Sequence, residues 1–204
     1  MKIIEEKDQS PALPEREGFV AVEKTVNALS ANIWALVIGI PILTIITVVH
    51  FLLWKDVILQ QITTVRFWGT LTVGILVLCF VVMFLYELFH GLAWCMLSGT
   101  PVGRMRFGLA ANGLIFQCRL EGELLTKRDY VRGLIAPDII FAIILLALGL
   151  YMNWYLSTFM AGLVLMSMIA DIMLVNSVKS ERDDTLLYIH PKKAGVYAYH
   201  NDEE

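Results

Sequence analysis

Four apolar runs, over residues 31–54, 67–97, 131–152 and 154–175, are each long enough to cross a hydrocarbon core, which takes about 20 helical residues. A chain of 204 residues, 57% hydrophobic and 17% charged, with mean hydropathy +0.66, is too small to hide four such helices from water in a soluble core. The expected fold is an all-α membrane protein of four transmembrane helices, with a cytoplasmic β-hairpin between helices 2 and 3. The hairpin is read near residues 104–120. There Met105, Phe107 and Leu109 alternate with other residues, Asn112-Gly113 intervenes, and Leu114, Phe116 and Cys118 alternate again. An Asn-Gly pair between alternating runs signals a tight turn, because both turn positions take positive φ.

The basic residues set the expected orientation. All but Lys55 and Arg66 of the 16 lie in the leader, in the segment between the second and third runs, or in the tail. The positive-inside rule then puts both termini and the central segment in the cytoplasm. Trp54 and Trp68, and Tyr151, Trp154 and Tyr155, mark the two outer connections as interfacial aromatics. The domain reading follows: 1–30 a polar leader, mobile before Val20 and too acidic for a secretory signal; 31–176 the membrane domain; 177–204 a cytoplasmic tail with strand-like stretches around Leu186–Ile189 and Gly195–Tyr199. Thr126 before Lys127, Arg128 and Asp129 gives the third helix a capping-box-like start, and Pro137 predicts a kink in it. The mild net charge of −3 calls for no nucleic-acid partner. The three cysteines lack a CxxC spacing and read as free apolar thiols.

Glu87 and His90 stand inside the second apolar run. A charge at mid-membrane costs about 2.5–3.5 kcal/mol on insertion scales, whereas intramembrane polar contacts return only about 0.6 kcal/mol. The pair therefore calls for a use. Three apart on a helix, the two side chains project from one face, as half of a metal site requires. By helical rise they lie about 10–15 Å inside the cytoplasmic end of their span, and Asp171 about 6–8 Å inside that of the fourth. Asp138 enters the third span at a similar depth, while His50 sits near the outer end of the first. Asp138 reads chiefly as a cap or hydrogen-bond partner at the Pro137 kink, and as a further candidate ligand. A di-iron carboxylate site needs a second Glu-x-x-His and more intramembrane glutamates, which are lacking. A transporter asks for repeat symmetry, which is not visible.

The stretch Tyr86-Glu87-Leu88-Phe89-His90-Gly91 resembles the His-Glu-x-x-His motif of zinc metalloproteases, with Tyr86 in the first histidine's place. Phe107-Gly108, the segment 124–129, Ala136-Pro137, Ala170-Asp171 and a His190-Pro191…Gly195-Val196-Tyr197 tail follow in order. Over roughly residues 65–200 the chain resembles the bacterial "putative zincin peptidase" membrane family, akin to site-2 intramembrane proteases. The resemblance implies zinc held by His90 and Asp171, with Glu87 as the general base in peptide hydrolysis. The substrate would be a membrane-embedded or membrane-proximal polypeptide, and the site of action a bacterial cytoplasmic membrane. The hairpin would pair with the unwound substrate by strand addition.

Tyr86 marks the departure from the motif. A phenol with a pKa of about 10 is a poor zinc ligand, and it reads as a packing aromatic with a bonded hydroxyl or as a donor to a substrate carbonyl. A second function therefore stands beside the first: a non-catalytic, protease-like membrane protein (a pseudoenzyme) that binds a protein partner or stabilises a complex. Zinc belongs to the first reading, and the lipid bilayer is a partner in both.

Overall fold

The computed structural model describes residue 14 and residues 18–113 and 115–201. The mobility expected of the leader before Val20 falls mostly outside these residues. The four apolar runs become helices α1 (Ala28–Gln61), α2 (Val65–Ser98), α3 (Lys127–Tyr151) and α4 (Tyr155–Ser177), each long and apolar enough to cross a membrane. Their outer faces leave large apolar side chains uncovered, among them Ile45, Leu76, Phe80 and Ile143, as lipid contact requires. The chain is a multi-pass membrane protein.

Helix limits follow from local chemistry. The Asn27 side chain accepts the Ser30 N–H at 3.0 Å and starts α1. Thr126 accepts the Asp129 N–H at 3.1 Å and donates to its carboxylate at 2.7 Å, the capping start read from sequence. α1 breaks at Trp54 (φ −125°, ψ 20°), where the first apolar run ends, and the Trp54 indole N–H donates to the Leu150 carbonyl at 3.0 Å. α3 runs through Pro137 as one helix, so the kink expected there makes no break. α4 packs mainly against α1 and α3.

The protein is mostly helical but not all-α. A four-stranded antiparallel sheet of order β1-β6-β5-β4 joins β1 (Phe19–Thr25), β4 (Leu125–Thr126), β5 (Leu186–Ile189) and β6 (Gly195–Asn201). β1 belongs to the leader and β6 to the tail, yet they pair along their whole lengths, Phe19 opposite Asn201 through Thr25 opposite Gly195. The strand-like tail therefore finds its partners in the leader and beside α3.

A separate two-stranded ribbon joins β2 (Met105–Ala110) to β3 (Ile115–Leu120), with Ala110 opposite Ile115. Its turn differs from the Asn-Gly type. Positive φ falls on Ala111 (50°) and Gly113 (85°), in a short 3-10 turn over Ala111–Gly113. The alternation in β2 also does not bury a face: Met105 is buried, while Phe107 and Leu109 are exposed. The core lies where the ribbon and sheet meet the ends of α2, α3 and α4, around Trp94, Cys118, Leu120, Leu125, Leu187 and Val196. All three cysteines are free thiols. Burial, with the Glu87 charge behind it, pushes the Cys118 thiol up to about 12, which makes it inert as a nucleophile.

Candidate metal centre

Three helices bring the candidate residues together. On α2, Tyr86, His90 and Trp94 recur every fourth residue and form one aromatic stripe, with ring centroids 4.5 Å apart for Tyr86–His90 and 5.9 Å for His90–Trp94. Trp94 fixes the lower end of the stripe. It stacks on Tyr130 of α3 at 5.9 Å, and its indole N–H donates to the Tyr130 carbonyl at 3.1 Å. Gly133 makes room for it, since a Cβ there would lie 2.2 Å from Trp94 Cδ1. The closeness of α2 and α3 at this point delivers Asp138 to His90.

His90 Nε2 donates to Asp138 Oδ1 at 2.6 Å, with both residues essentially inaccessible (1% and 0%). Asp138 Oδ2 has no partner among the described residues. From α4, Asp171 accepts the Tyr86 hydroxyl in a short hydrogen bond. One ligand atom each from His90, Asp138 and Asp171 lie within 4.8 Å of one another. The pairing of Asp138 with His90 replaces its expected role at the Pro137 step. Tyr86 is a packing aromatic whose bonded hydroxyl turns toward the cluster, so it supports Asp171.

Glu87 occupies the adjacent face of α2 and looks toward the ribbon. Its Oε2 accepts the main-chain N–H of Cys118 in β3 at 2.6 Å. Gly91, one turn further on, allows this approach, because a Cβ there would meet Cys118 Sγ and Met105 Cε at 2.5 Å each. Glu87, His90 and Asp171 all line one cavity of about 440 Å³, together with Cys118 and Gln117 of β3 and Gly195 of β6. His50 belongs elsewhere: it is buried, bonded through Nδ1 to Thr158 Oγ1 at 2.8 Å, near the start of α4.

The donor set fits a small divalent cation. One imidazole and two carboxylates from separate helices converge with an orphaned buried oxygen, and among the described residues no lysine or arginine forms an ion pair with either aspartate. The proton on His90 Nε2 is the one a metal replaces. Sequence reasoning missed the Cys118 N–H altogether and did not foresee the pairing of Asp138 with His90. A small residue four positions after Glu87 was the available signal for the first. The second had none, because Asp138 and His90 are joined only by helix packing.

A family model described as "Putative zincin peptidase" matches residues 79–186, the span from mid-α2 to the start of β5. No curated protein and no solved structure matches the chain.

Proposed function

The chain belongs to the "putative zincin peptidase" family, and from that premise we propose that it is a membrane-embedded zinc metalloprotease of the site-2 kind. It would cleave membrane or membrane-proximal polypeptide near the cytoplasmic face, with both termini on that side. The observation that carries the reading is the meeting of His90, Asp138 and Asp171 within 4.8 Å inside a helical bundle. His90 and the two aspartates would hold the zinc, a His-Asp-Asp set in which Asp138 takes up the ligand duty lost at Tyr86. Zinc bound there would act as a Lewis acid on a peptide carbonyl and make water nucleophilic near neutral pH.

The protein's own groups divide the remaining work. Tyr86 orients Asp171 through its hydroxyl and fixes which oxygen faces inward. Glu87 is the general base, beside the cluster on the cavity wall. β3 offers main-chain groups for strand addition, which holds an unwound peptide with little demand on its side chains. The orientation draws support from connectivity: β1 with Lys24, the ribbon and the strands of the tail all gather at one end of the bundle.

A second reading is favoured by one contact. Glu87 is bonded to Cys118, and with Tyr86 in the motif this suits a non-catalytic relative that uses the cavity to hold a partner. Metal analysis of detergent-purified protein separates the two. The protease requires about one zinc per chain, lost in His90→Ala and in Asp138→Ala. Absence of zinc from the wild type after loading would leave the non-catalytic reading.

A further inference from the structure

Among the described residues, β3 has a strand on one side only. In an antiparallel ladder, successive residues turn their N–H and C=O groups to opposite sides. Cys118 lies opposite Phe107, and its N–H points away from β2 to reach Glu87. Phe116 and Leu120, two residues to either side, share that outward set. The open edge runs along the cavity, which Phe116 and Cys118 line. A free edge of this kind pairs with another extended main chain, because only a backbone presents acceptors and donors at matching spacing.

The donor such a chain needs at the centre of this edge is already bonded to Glu87. We propose that the Cys118 N–H is a latch: it holds the Glu87 carboxylate in the resting protein and is surrendered to a main-chain carbonyl of an extended polypeptide docking on β3, so that the base is released as the substrate arrives. This rests on the protease reading for the role of Glu87. The latch itself rests on geometry. Gly91 brings β3 against α2 one turn beyond Glu87, close enough for a 2.6 Å bond. One N–H cannot serve two acceptors well, so docking and the Glu87 bond exclude each other. Premature hydrolysis is thereby restrained, since the base is withheld from an empty site.

The test uses full-length, zinc-free protein in detergent. The probe is a fluorescein-labelled, end-capped decapeptide of alternating Val and Ser, followed by fluorescence polarisation. Glu87→Ala, which removes the competitor, should bind it about tenfold tighter than wild type. Cys118→Ala keeps the N–H and should bind as wild type does, while Cys118→Pro should lose binding. A peptide N-methylated at every residue, with no donor left on either edge, should bind none of them. Unchanged or weaker binding by Glu87→Ala overturns the latch, as does equal binding of the N-methylated peptide.

Because a proline variant can misfold, selective ¹⁵N-cysteine labelling supplies a second readout, with three amide signals. The Cys118 signal, assigned by its loss in Cys118→Ala, should shift in Glu87→Ala and on peptide addition to wild type. A signal indifferent to both overturns the proposal. Neither zinc nor hydrolysis enters these measurements, so a protein that never loads zinc would defeat the protease reading and leave the latch standing.

Discussion

Replacing His190 with alanine should loosen the junction between ribbon and sheet while leaving the helices in place. The ring closes the turn after β5: its Nδ1 accepts the N–H groups of Lys192 and Lys193 at 3.0 and 2.8 Å. With Nδ1 an acceptor, the neutral ring carries its proton on Nε2 and donates to the Tyr197 hydroxyl at 3.0 Å. The turn so shaped presents three successive carbonyls to the ribbon. His190 accepts from Gln117 at 2.9 Å, Pro191 from Arg119 at 3.0 Å, and Lys192 from the Ala111 N–H at 2.7 Å. Alanine strands two main-chain donors. Lys192 and Lys193 are both exposed and their N–H groups find water, so the cost is the net worth of two hydrogen bonds, about 1–2 kcal/mol. Local opening should then be about tenfold more frequent. Hydrogen exchange read by mass spectrometry should show faster exchange over 105–120 and 186–201 and unchanged exchange in α3 and α4. Equal acceleration in the helices, or none in the ribbon, would refute the argument.

Acid should act on the wild type in the same direction. Burial holds His190 below its ordinary value; Glu23 opposes this, and Lys193 and Lys192 reinforce it. The opened turn takes up a proton near pH 6.5 and the closed turn only below that, so opening binds a proton. The closed junction is thus fully stable above a pH of about 6.5 and weakens as pH falls toward the folded value, by at most about 1.4 kcal/mol per pH unit. His190→Ala should lack this dependence.

Other substitutions test the centre and its supports. Tyr86→His should raise zinc affinity in competition with a chromophoric chelator; unchanged affinity would mean that position 86 does not reach the ligands. Gly133→Ala puts a Cβ 2.2 Å from Trp94 and should destabilise by about 1–3 kcal/mol, seen as a lower Tm in detergent. An unshifted Tm would contradict the close packing of α2 on α3. Glu181→Ala removes the partner of Lys24 (2.8 Å) and of His200 (3.3 Å), a nearly buried carboxylate at the end of α4. Exchange in β1 should rise severalfold, and unchanged protection there would deny the contact a role.

The helices were legible because a membrane-spanning helix needs an uninterrupted apolar length, which the sequence shows directly. The sheet was not. Its strands are short, and β1 pairs with a strand at the far end of the chain, so no local window contains both partners. β1 also leaves Val20 and Val22 exposed, which blurs the alternation that would mark a buried face. Glu87, His90 and Asp171 stood out because ionisable groups are costly among apolar neighbours. Asp138 stood out too, but its neighbour Pro137 drew the local reading, while its true partner is set by how α2 lies on α3. The Cys118 N–H carries no residue identity at all. Only Gly91 hinted that a backbone comes close there.

The seven-residue zipper between β1 and β6 has a consequence for biosynthesis. Gly195 forms part of the cavity wall and Val26 another part, and they meet only when β6 folds back to β1. A ribosome that has released α1 to α4 but not residues 195–201 holds a bundle whose chamber lacks a side. Any hydrolytic competence therefore arises only once residues 195–201 have been made and folded back, later than the insertion of α1 to α4, when neighbouring nascent helices would be most open to attack.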